Sequence, residues 1–387
     1  MKGIRIVKIW VIARSYPIKK NKMRGSFELE QAKLLAEAGH DVTFMALIFH
    51  PINKVKKWGR CSWKDGNIKV FTESVFYAPE RMHLHLKRFQ ERKWRRMLEW
   101  VESETGVPDI IHIHYPAMVS DADVVIAYQK KNVSIVTTEH WSKTLNNTMD
   151  DYQRKQLIQY AECADATLCV SKPLKEAISR ITGTKRDITV VPNVVSNLFK
   201  PSINKKKGFH FVAVGRLVPH KQFDRIIEAF AEAFGSKEDV FLTIVGGGNE
   251  QKLLNELIKR HNLQTRVRLE GTLTREQTAH ILARSHALIC YSRLETFGVP
   301  VIEGWACGLP VISSDGIGFT EYWNKNLGYI VSMNHTEELV SAMQKLYDRY
   351  DSFNAEQIHD FAQKNFGEKA VATQLNQIYQ EVHRRIL

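Results

Sequence analysis

Short runs of aliphatic residues, each followed by a loop and an amphipathic stretch, recur along this chain in two successive series. Strands that short and that apolar must be buried on both faces, which calls for a parallel sheet covered by helices. In the first series Ile4 to Ala13 reads as a strand, Ser26 to Ala38 as a helix ended by Gly39, and Val42 to Leu47 as the next strand. Ile110 to His114, Ser134 to Thr138, Ala166 to Val170 and Ile188 to Val191 continue it. From about Ile48 to Val107 the pattern loosens. The stretch Pro192 to Gly208, PNVVSNLFKPSINKKKG, is polar and basic and reads as a linker. After it the series restarts with strands at Phe209 to Val214, Val240 to Val245, Val267 to Leu269, Ala287 to Tyr291 and Pro310 to Ser313. Helices are expected between them at Phe223 to Ala233, Glu250 to Arg260 and Arg275 to Ala283. A chain of 387 residues is too long for one ordinary core. Two doubly wound α/β domains are the economical reading, and ligands of such folds sit at the carboxyl ends of strands. With two facing domains, the cleft between them is the expected site.

Hydrophobic content of 44% with 25% charged residues excludes a disordered chain. No apolar run reaches membrane-spanning length, and Lys8 and Arg14 interrupt the first apolar stretch, so neither a signal peptide nor a span is expected. The five cysteines show no C-x-x-C pair and read as small buried residues of a reducing, cytoplasmic compartment, without structural zinc. Net charge is uneven: residues 1–200 hold 33 Lys+Arg against 21 Asp+Glu, whereas the remainder is close to neutral. Within RMHLHLKRFQERKWRRMLEWVE, apolar Met82, Leu86, Phe89, Met97 and Val101 recur at helical intervals. Arg88, Arg92, Arg95 and Arg96 interleave with Trp94 and Trp100. This is either a core helix with a solvated basic face or a face that rests on anionic lipid headgroups at the inner side of a membrane.

Three local patterns carry chemistry. In YSRLETFGVPVIEGWACGLPVISSD, Glu295 and Glu303 bracket a turn and a helix start near Pro300. The N–H groups of Phe297, Gly298 and Val299 would face a phosphate at the positive end of that helix. The same two acids could instead simply favour a helix N-terminus, or serve as acid and base in a hydrolase. In AVGRLVPHK, Arg216 and Lys221 flank a loop after a strand ending at Gly215, a pairing that can hold bridged phosphates. IVGGGNE is a glycine-rich strand-to-helix turn that admits a ligand or a neighbouring backbone, and it fits neither the P-loop nor the G-x-G-x-x-G pattern.

In this order and spacing the motifs resemble the GT4 family of retaining glycosyltransferases, which have the GT-B fold. GRLVPHK, IVGGGNE, VRLEGTL and SRLETFGVPVIEGWACGLPVISSD carry the resemblance in the second half. IARSYP, RGSFELEQAKLLAEAGHDV, HIH, TTEH and VVPNVV carry it in the first. It implies two Rossmann-like domains. Residues 1–195 would bind the acceptor and residues 196–366 the nucleotide-sugar donor, while residues 367–387 would form a helix packed back on the first domain. It implies that Arg216 and Lys221 bind the leaving diphosphate, whose developing charge is the largest thing such a site can stabilise. Glu295 would bind donor-sugar hydroxyls, Thr296 to Val299 the distal phosphate, and Glu303 the ribose. Backbone near Gly271 to Leu273 would frame the base, Gly25 would lie in the first loop near the donor, and His140 would face the reacting carbon. His112 and His114 read as packing residues. Where the family commonly has paired glycines the first loop has only Gly25, and Gln222 and Ile317 also stand where glycine is frequent. The implied reaction retains anomeric configuration without a protein nucleophile, cofactor or metal. Its substrates are a nucleotide-diphosphate sugar, UDP-linked by preference, and a glycan or lipid-linked acceptor; no nucleic acid is expected. An epimerase or phosphorylase on the same fold, or a basic binding module without activity, are the alternatives.

Overall fold

The computed structural model describes residues 6–17, 25–51, 59–77, 83–318 and 320–384. They fall into two compact units, Met1–Val194 with Val371–Leu387, and Val195–Ala370. Ile4 and Met82 lie outside the described residues.

The first unit is built on strands β1 (Lys8–Ile12), β2 (Asp41–Pro51), β3 (Gly59–Asp65), β4 (Ile68–Tyr77), β5 (Ile110–His114), β6 (Ser134–Glu139), β7 (Ala166–Cys169) and β8 (Ile188–Val190). They form one sheet in the order β3-β4-β2-β1-β5-β6-β7-β8. Ile9 pairs with Val42 on one side and Ile110 on the other, and these central residues are buried on both faces, as their unbroken apolar runs require. The sheet is parallel except at its edge, where β3 runs antiparallel to β4. That edge departs from the expected all-parallel sheet and lies where the apolar pattern loosens. Its two-residue turn, Gly66-Asn67 with Gly66 at φ 59°, is a tight-hairpin signature. Exposed Arg60 and Lys64 blunt the open edge against further strand pairing.

Two further differences matter for function. The helix His83–Thr105 buries Trp94, Met97, Leu98 and Val101 against Trp10 and Phe71. Trp94 is 2% exposed, so it belongs to the core and corrects its assignment to a membrane-facing surface. Arg92, Arg95 and Arg96 stay exposed on the opposite face, Arg95 paired with Glu91 one turn away; the Arg88 side chain lies outside the described set. At the other end of the chain, the helix Glu368–Arg384 places Val371, Leu375, Tyr379 and Val382 in one cluster with Val7, Val11, Leu35 and Phe44. Four of the five cysteines are buried or half-buried and Cys61 is exposed.

The second unit is a fully parallel sheet of β9 (Phe209–Val214), β10 (Val240–Val245), β11 (Val267–Gly271), β12 (Ala287–Cys290), β13 (Val311–Ser314) and β14 (Gly328–Val331). Its order is β11-β10-β9-β12-β13-β14. The chain winds outward from β9 to β11, then returns to β12 on the other side of β9. The carboxyl ends of β9 and β12 therefore flank the point where the winding reverses, which is where an open α/β sheet leaves a crevice.

Candidate active site

In the second unit the candidate residues sit on the loops leaving β9 and β12. After β9 the Gly215 N–H bonds the Val245 carbonyl (2.9 Å) and the Leu217 N–H bonds that of Gly247 (3.0 Å). A tight turn over Pro219–Lys221 then leads into the helix Phe223–Phe234. Gln222 at that junction has φ 52°, a left-handed conformation that accounts for glycine being common there. Its buried Oε1 has no partner among the described residues.

The loop after β12 is tied to this turn. The Arg293 N–H bonds the His220 carbonyl (2.8 Å), and Lys221 Nζ forms an ion pair with Glu295 Oε1, which also accepts from Ser292 Oγ (3.0 Å). The Glu295 N–H reaches back to the Gly316 carbonyl (3.0 Å). Lys221 and Glu295, 74 positions apart, are thus joined by an ion pair, while Arg216 is exposed on the same edge and makes no ion pair among the described residues. Half-buried Thr296 follows. Phe297 is buried and packs edge-on against Phe366 (5.9 Å), anchoring the start of the helix Val299–Ala306. Gly298 at φ 103° precedes it, Pro300, which has no N–H, occupies its first turn, and the Val301 N–H bonds the Gly298 carbonyl (2.9 Å), so the positive end of the helix dipole opens at Gly298 and Val299. Such an end suits an anion.

One turn into that helix Glu303 is buried against Arg275, Nη2 to Oε1 3.1 Å. Burial pushes the carboxyl up to about 6, against the downward pull of Arg275. Gly271 ends β11 and half-buried Leu273 lies between it and the Arg275 helix; the Gly271 carbonyl accepts from the Gly246 N–H (2.8 Å).

The glycine-rich turn after β10 serves the backbone. A Cβ on Gly246 would lie 1.7 Å from the Gly215 carbonyl oxygen, and one on Gly248 2.1 Å from that of Leu217. These glycines let the turn pack onto the loop that carries Arg216 and Lys221. Gly25 in the first unit is similar: φ is 85° and a Cβ would meet the Ser15 carbonyl oxygen at 1.9 Å, so it seats the loop after β1.

The first unit holds a second constellation at the carboxyl ends of β1, β5 and β6. His140 Nε2 is hydrogen-bonded to His114 Nδ1 (3.0 Å), and its ring stacks on Tyr115 (4.8 Å between centroids). Arg14 lies over the other part of the system, 4.4 Å from the Tyr115 centroid, with its Nε 3.8 Å from fully buried Glu28. His112 bonds Tyr379 Oη and Thr138 Oγ1, both at 2.7 Å. Burial holds all three histidines below the usual imidazole range, His114 at about 3, so the ladder is neutral. Beside it, buried Glu139 accepts the N–H groups of His140 and Trp141 through Oε1 (2.8 Å each), and burial pushes its carboxyl up to about 7.

Arg275, Arg14, Glu28, Tyr115, Glu139 and Tyr379 were not anticipated. Only Arg275 carried a local signal, as the first helical residue within the capping box of Thr274 and Gln277. An Asp-x-Asp triplet does occur, Asp121-Ala122-Asp123. Asp121 caps its own short helix and accepts from Tyr152 (3.0 Å), while Asp123 accepts from Gln159 (2.5 Å). Among the described residues no group of three or more His, Cys, Asp or Glu is placed to hold a metal. None of the described helices is long and apolar enough to cross a membrane.

Two family models match the chain in tandem: Glycosyltransferase Family 4 over residues 28–196 and Glycosyl transferases group 1 over residues 195–365. Over 285 residues the chain is 26% identical to a phosphatidylinositol N-acetylglucosaminyltransferase subunit from Saccharomyces cerevisiae. That match takes in 70% of this chain and spans 63% of the yeast protein's length. It is also 26% identical, over 92% of this chain and 93% of the relative, to N-acetyl-alpha-D-glucosaminyl L-malate synthase from Bacillus anthracis. The crystal structure of Anabaena HepE in complex with UDP-glucose superposes with a TM-score of 0.70 at 16% identity, over 97% of this chain and all of that one.

Proposed function

Because the chain belongs to glycosyltransferase family 4 and has the GT-B fold, we propose that it moves a hexose from a UDP-sugar to a hydroxyl of a glycan or lipid-linked acceptor, with retention of configuration. The observation that carries this reading is the Lys221–Glu295 pair at the carboxyl edge of β9 and β12, beside the opening of the helix Val299–Ala306. The arrangement offers a cation and the positive end of a helix dipole to a diphosphate and a carboxylate to sugar hydroxyls. N-acetylglucosamine is the first sugar to try, since the names of both relatives specify it. The Bacillus relative's name also specifies an alpha product, which from an α-linked nucleotide sugar is retention.

In this reading the bond from C1 of the sugar to the diphosphate oxygen breaks as the acceptor oxygen bonds C1 from the same face. The acceptor proton passes to the departing phosphate oxygen. Lys221, exposed Arg216 and the N–H groups around Gly298 hold the charge that develops on the diphosphate, so no metal is required for its departure. Glu295 orients the sugar, Glu303 the ribose, and the backbone at Gly271 to Leu273 the base. A role of this kind in making a surface polysaccharide or glycolipid at the inner face of a membrane fits the exposed Arg92, Arg95 and Arg96.

The test is a thermal-shift series with UDP-, GDP- and ADP-sugars, in which a ligand of the folded state raises Tm by mass action. UDP-N-acetylglucosamine should raise Tm, and supplying an acceptor should then release UDP. Stabilisation by GDP- or ADP-sugars alone would replace the donor, and UDP-sugar turnover that needs no acceptor would indicate an epimerase.

A further inference from the structure

Glu303 presents a problem for any role that needs its charge. Its side chain is 7% exposed, and a carboxylate taken that far out of water takes up a proton unless a partner compensates it. A protonated carboxyl gives up one acceptor oxygen and can no longer receive two hydroxyls side by side.

The partner is Arg275, and it is held from several directions. Its guanidinium, 13% exposed, lies 3.1 Å from Glu303 Oε1 and 5.2 Å over the ring of buried Phe199. It opens the helix Arg275–Arg284, whose start is fixed by the reciprocal Thr274 and Gln277 bonds. The far end of that helix is fastened by Lys205, whose Nζ donates to the carbonyls of Ala283 (3.0 Å) and Ser285 (2.7 Å). Among the described residues Arg275 is the charged group that pairs with Glu303. Cys307, one turn further along its own helix, is a neutral thiol pushed up to about 12, and Lys205 faces that thiol.

We propose that Arg275 is a positioning residue for the donor: it keeps the buried Glu303 carboxylate charged and aimed, so that Glu303 can receive the two ribose hydroxyls of a nucleoside-diphosphate sugar. The proposal rests on the donor reading above and adds to it a residue that touches no reacting atom. It also sets a pH dependence. Glu303 titrates near 6, so donor binding weakens as pH falls through that value. Removing the arginine moves the titration upward, so that the weakening reaches neutral pH.

Calorimetric titration of the full chain with UDP-N-acetylglucosamine between about pH 5.5 and about pH 8.5 tests this, because that ligand's diphosphate does not change charge over the range. For Arg275→Met the affinity near neutral pH should fall about tenfold or more, and the deficit should shrink to about threefold at the alkaline end. Arg275→Lys should recover most of the loss, since it restores a charge without the fork. Glu303→Gln, permanently neutral, should show a deficit that narrows as pH falls and the wild type itself becomes protonated. An Arg275→Met deficit equal at every pH, with Arg275→Lys no better, overturns the proposal and leaves Arg275 a packing residue. Should Arg275→Met not fold, a pH-independent Glu303→Gln deficit overturns it equally. A wild type that binds no UDP-N-acetylglucosamine at any pH overturns the donor reading, and the proposal with it, an outcome distinct from a binding wild type with unresponsive variants.

Discussion

The donor-side cradle of Val195–Ala370 and the histidine ladder of Met1–Val194 both stand at the carboxyl edge of a doubly wound sheet, yet they handle charge in opposite ways. In the cradle, charge is kept and paired: Lys221 with Glu295, Arg275 with Glu303, and Arg216 left exposed. In the ladder, the titratable groups are neutral: His112, His114 and His140 are held so by burial and Glu139 is pushed toward its protonated form, while the one charged pair beside them, Arg14 with Glu28, is set against Tyr115. A site that must hold a diphosphate needs cations that survive at neutral pH. Fixed neutral imidazoles of the kind in the ladder offer hydrogen bonds without a full charge, which suits an uncharged ligand rather than a diphosphate.

The sharpest way to break this contrast is to remove a charge from the cradle. Lys221→Ala should lower transfer by about 10²–10³, the loss typical of deleting one group that stabilises leaving charge, and Arg216→Ala should follow; Glu295→Gln should lower it comparably by unseating the donor sugar from its reactive position. Tm should hardly change for exposed Arg216→Ala, whereas Lys221→Ala leaves the largely buried Glu295 without its cation and should lower Tm as well, so its activity is compared below the shifted Tm. Activity near wild type in all three would dissolve the cradle as a donor site.

The glycines of the same unit offer a purely structural control. Gly248→Ala should destabilise the fold by about 2–4 kcal/mol, since its Cβ would collide with the Leu217 carbonyl. Gly271→Ala, at φ 70° with open space around the added carbon, should cost only the conformational strain of about 1 kcal/mol. Chemical denaturation of the two variants reads the difference. Equal costs would mean that the glycine-rich turn does not brace the loop carrying Lys221.

These regions also differ in how far they could be read from sequence. The cradle is legible because its parts are local: Arg216 and Lys221 share one loop, and Glu295 and Glu303 are eight positions apart around a Gly-Val-Pro helix start. What remained hidden there was the partner of Glu303, because Arg275 lies 28 positions away on a different helix. The ladder joins His112 to Tyr379 across 267 positions, and no periodicity of either segment announces that contact. The central strands were plain as unbroken apolar runs, whereas the hairpin of β3 and β4 was passed over. Its outer strand is exposed along nearly its whole length and carries Arg60, Lys64 and Asp65, so it lacks the buried pattern, although Gly66-Asn67 marks its turn. Trp94 was misplaced for a related reason. Interleaved with arginines it suggests an interface, but it shares a helical face with Met97, Leu98 and Val101, and that face is the core.

The ladder makes the smallest but most directional prediction. A carboxyl whose value is raised in the fold contributes stability that is full below its unfolded value near 4.5 and is lost as pH rises through about 7. A histidine whose value is lowered does the reverse, contributing stability above 6.5 that is lost as pH falls. Glu139 and the three histidines should therefore bound the stability of this unit from opposite sides. Glu139→Gln keeps an oxygen for the N–H groups of His140 and Trp141 but cannot ionise, so it should erase only the alkaline loss. We expect the variant to be more stable than wild type by about 1–3 kcal/mol above neutral pH, with the gain fading as pH is lowered toward the unfolded value. The acid-side decline should persist in it unchanged, since the histidines still resist protonation. Were Glu139→Gln no more stable than wild type on the alkaline side, Glu139 would be carrying its charge there at no cost, and the neutral character ascribed to this end of the sheet would fail.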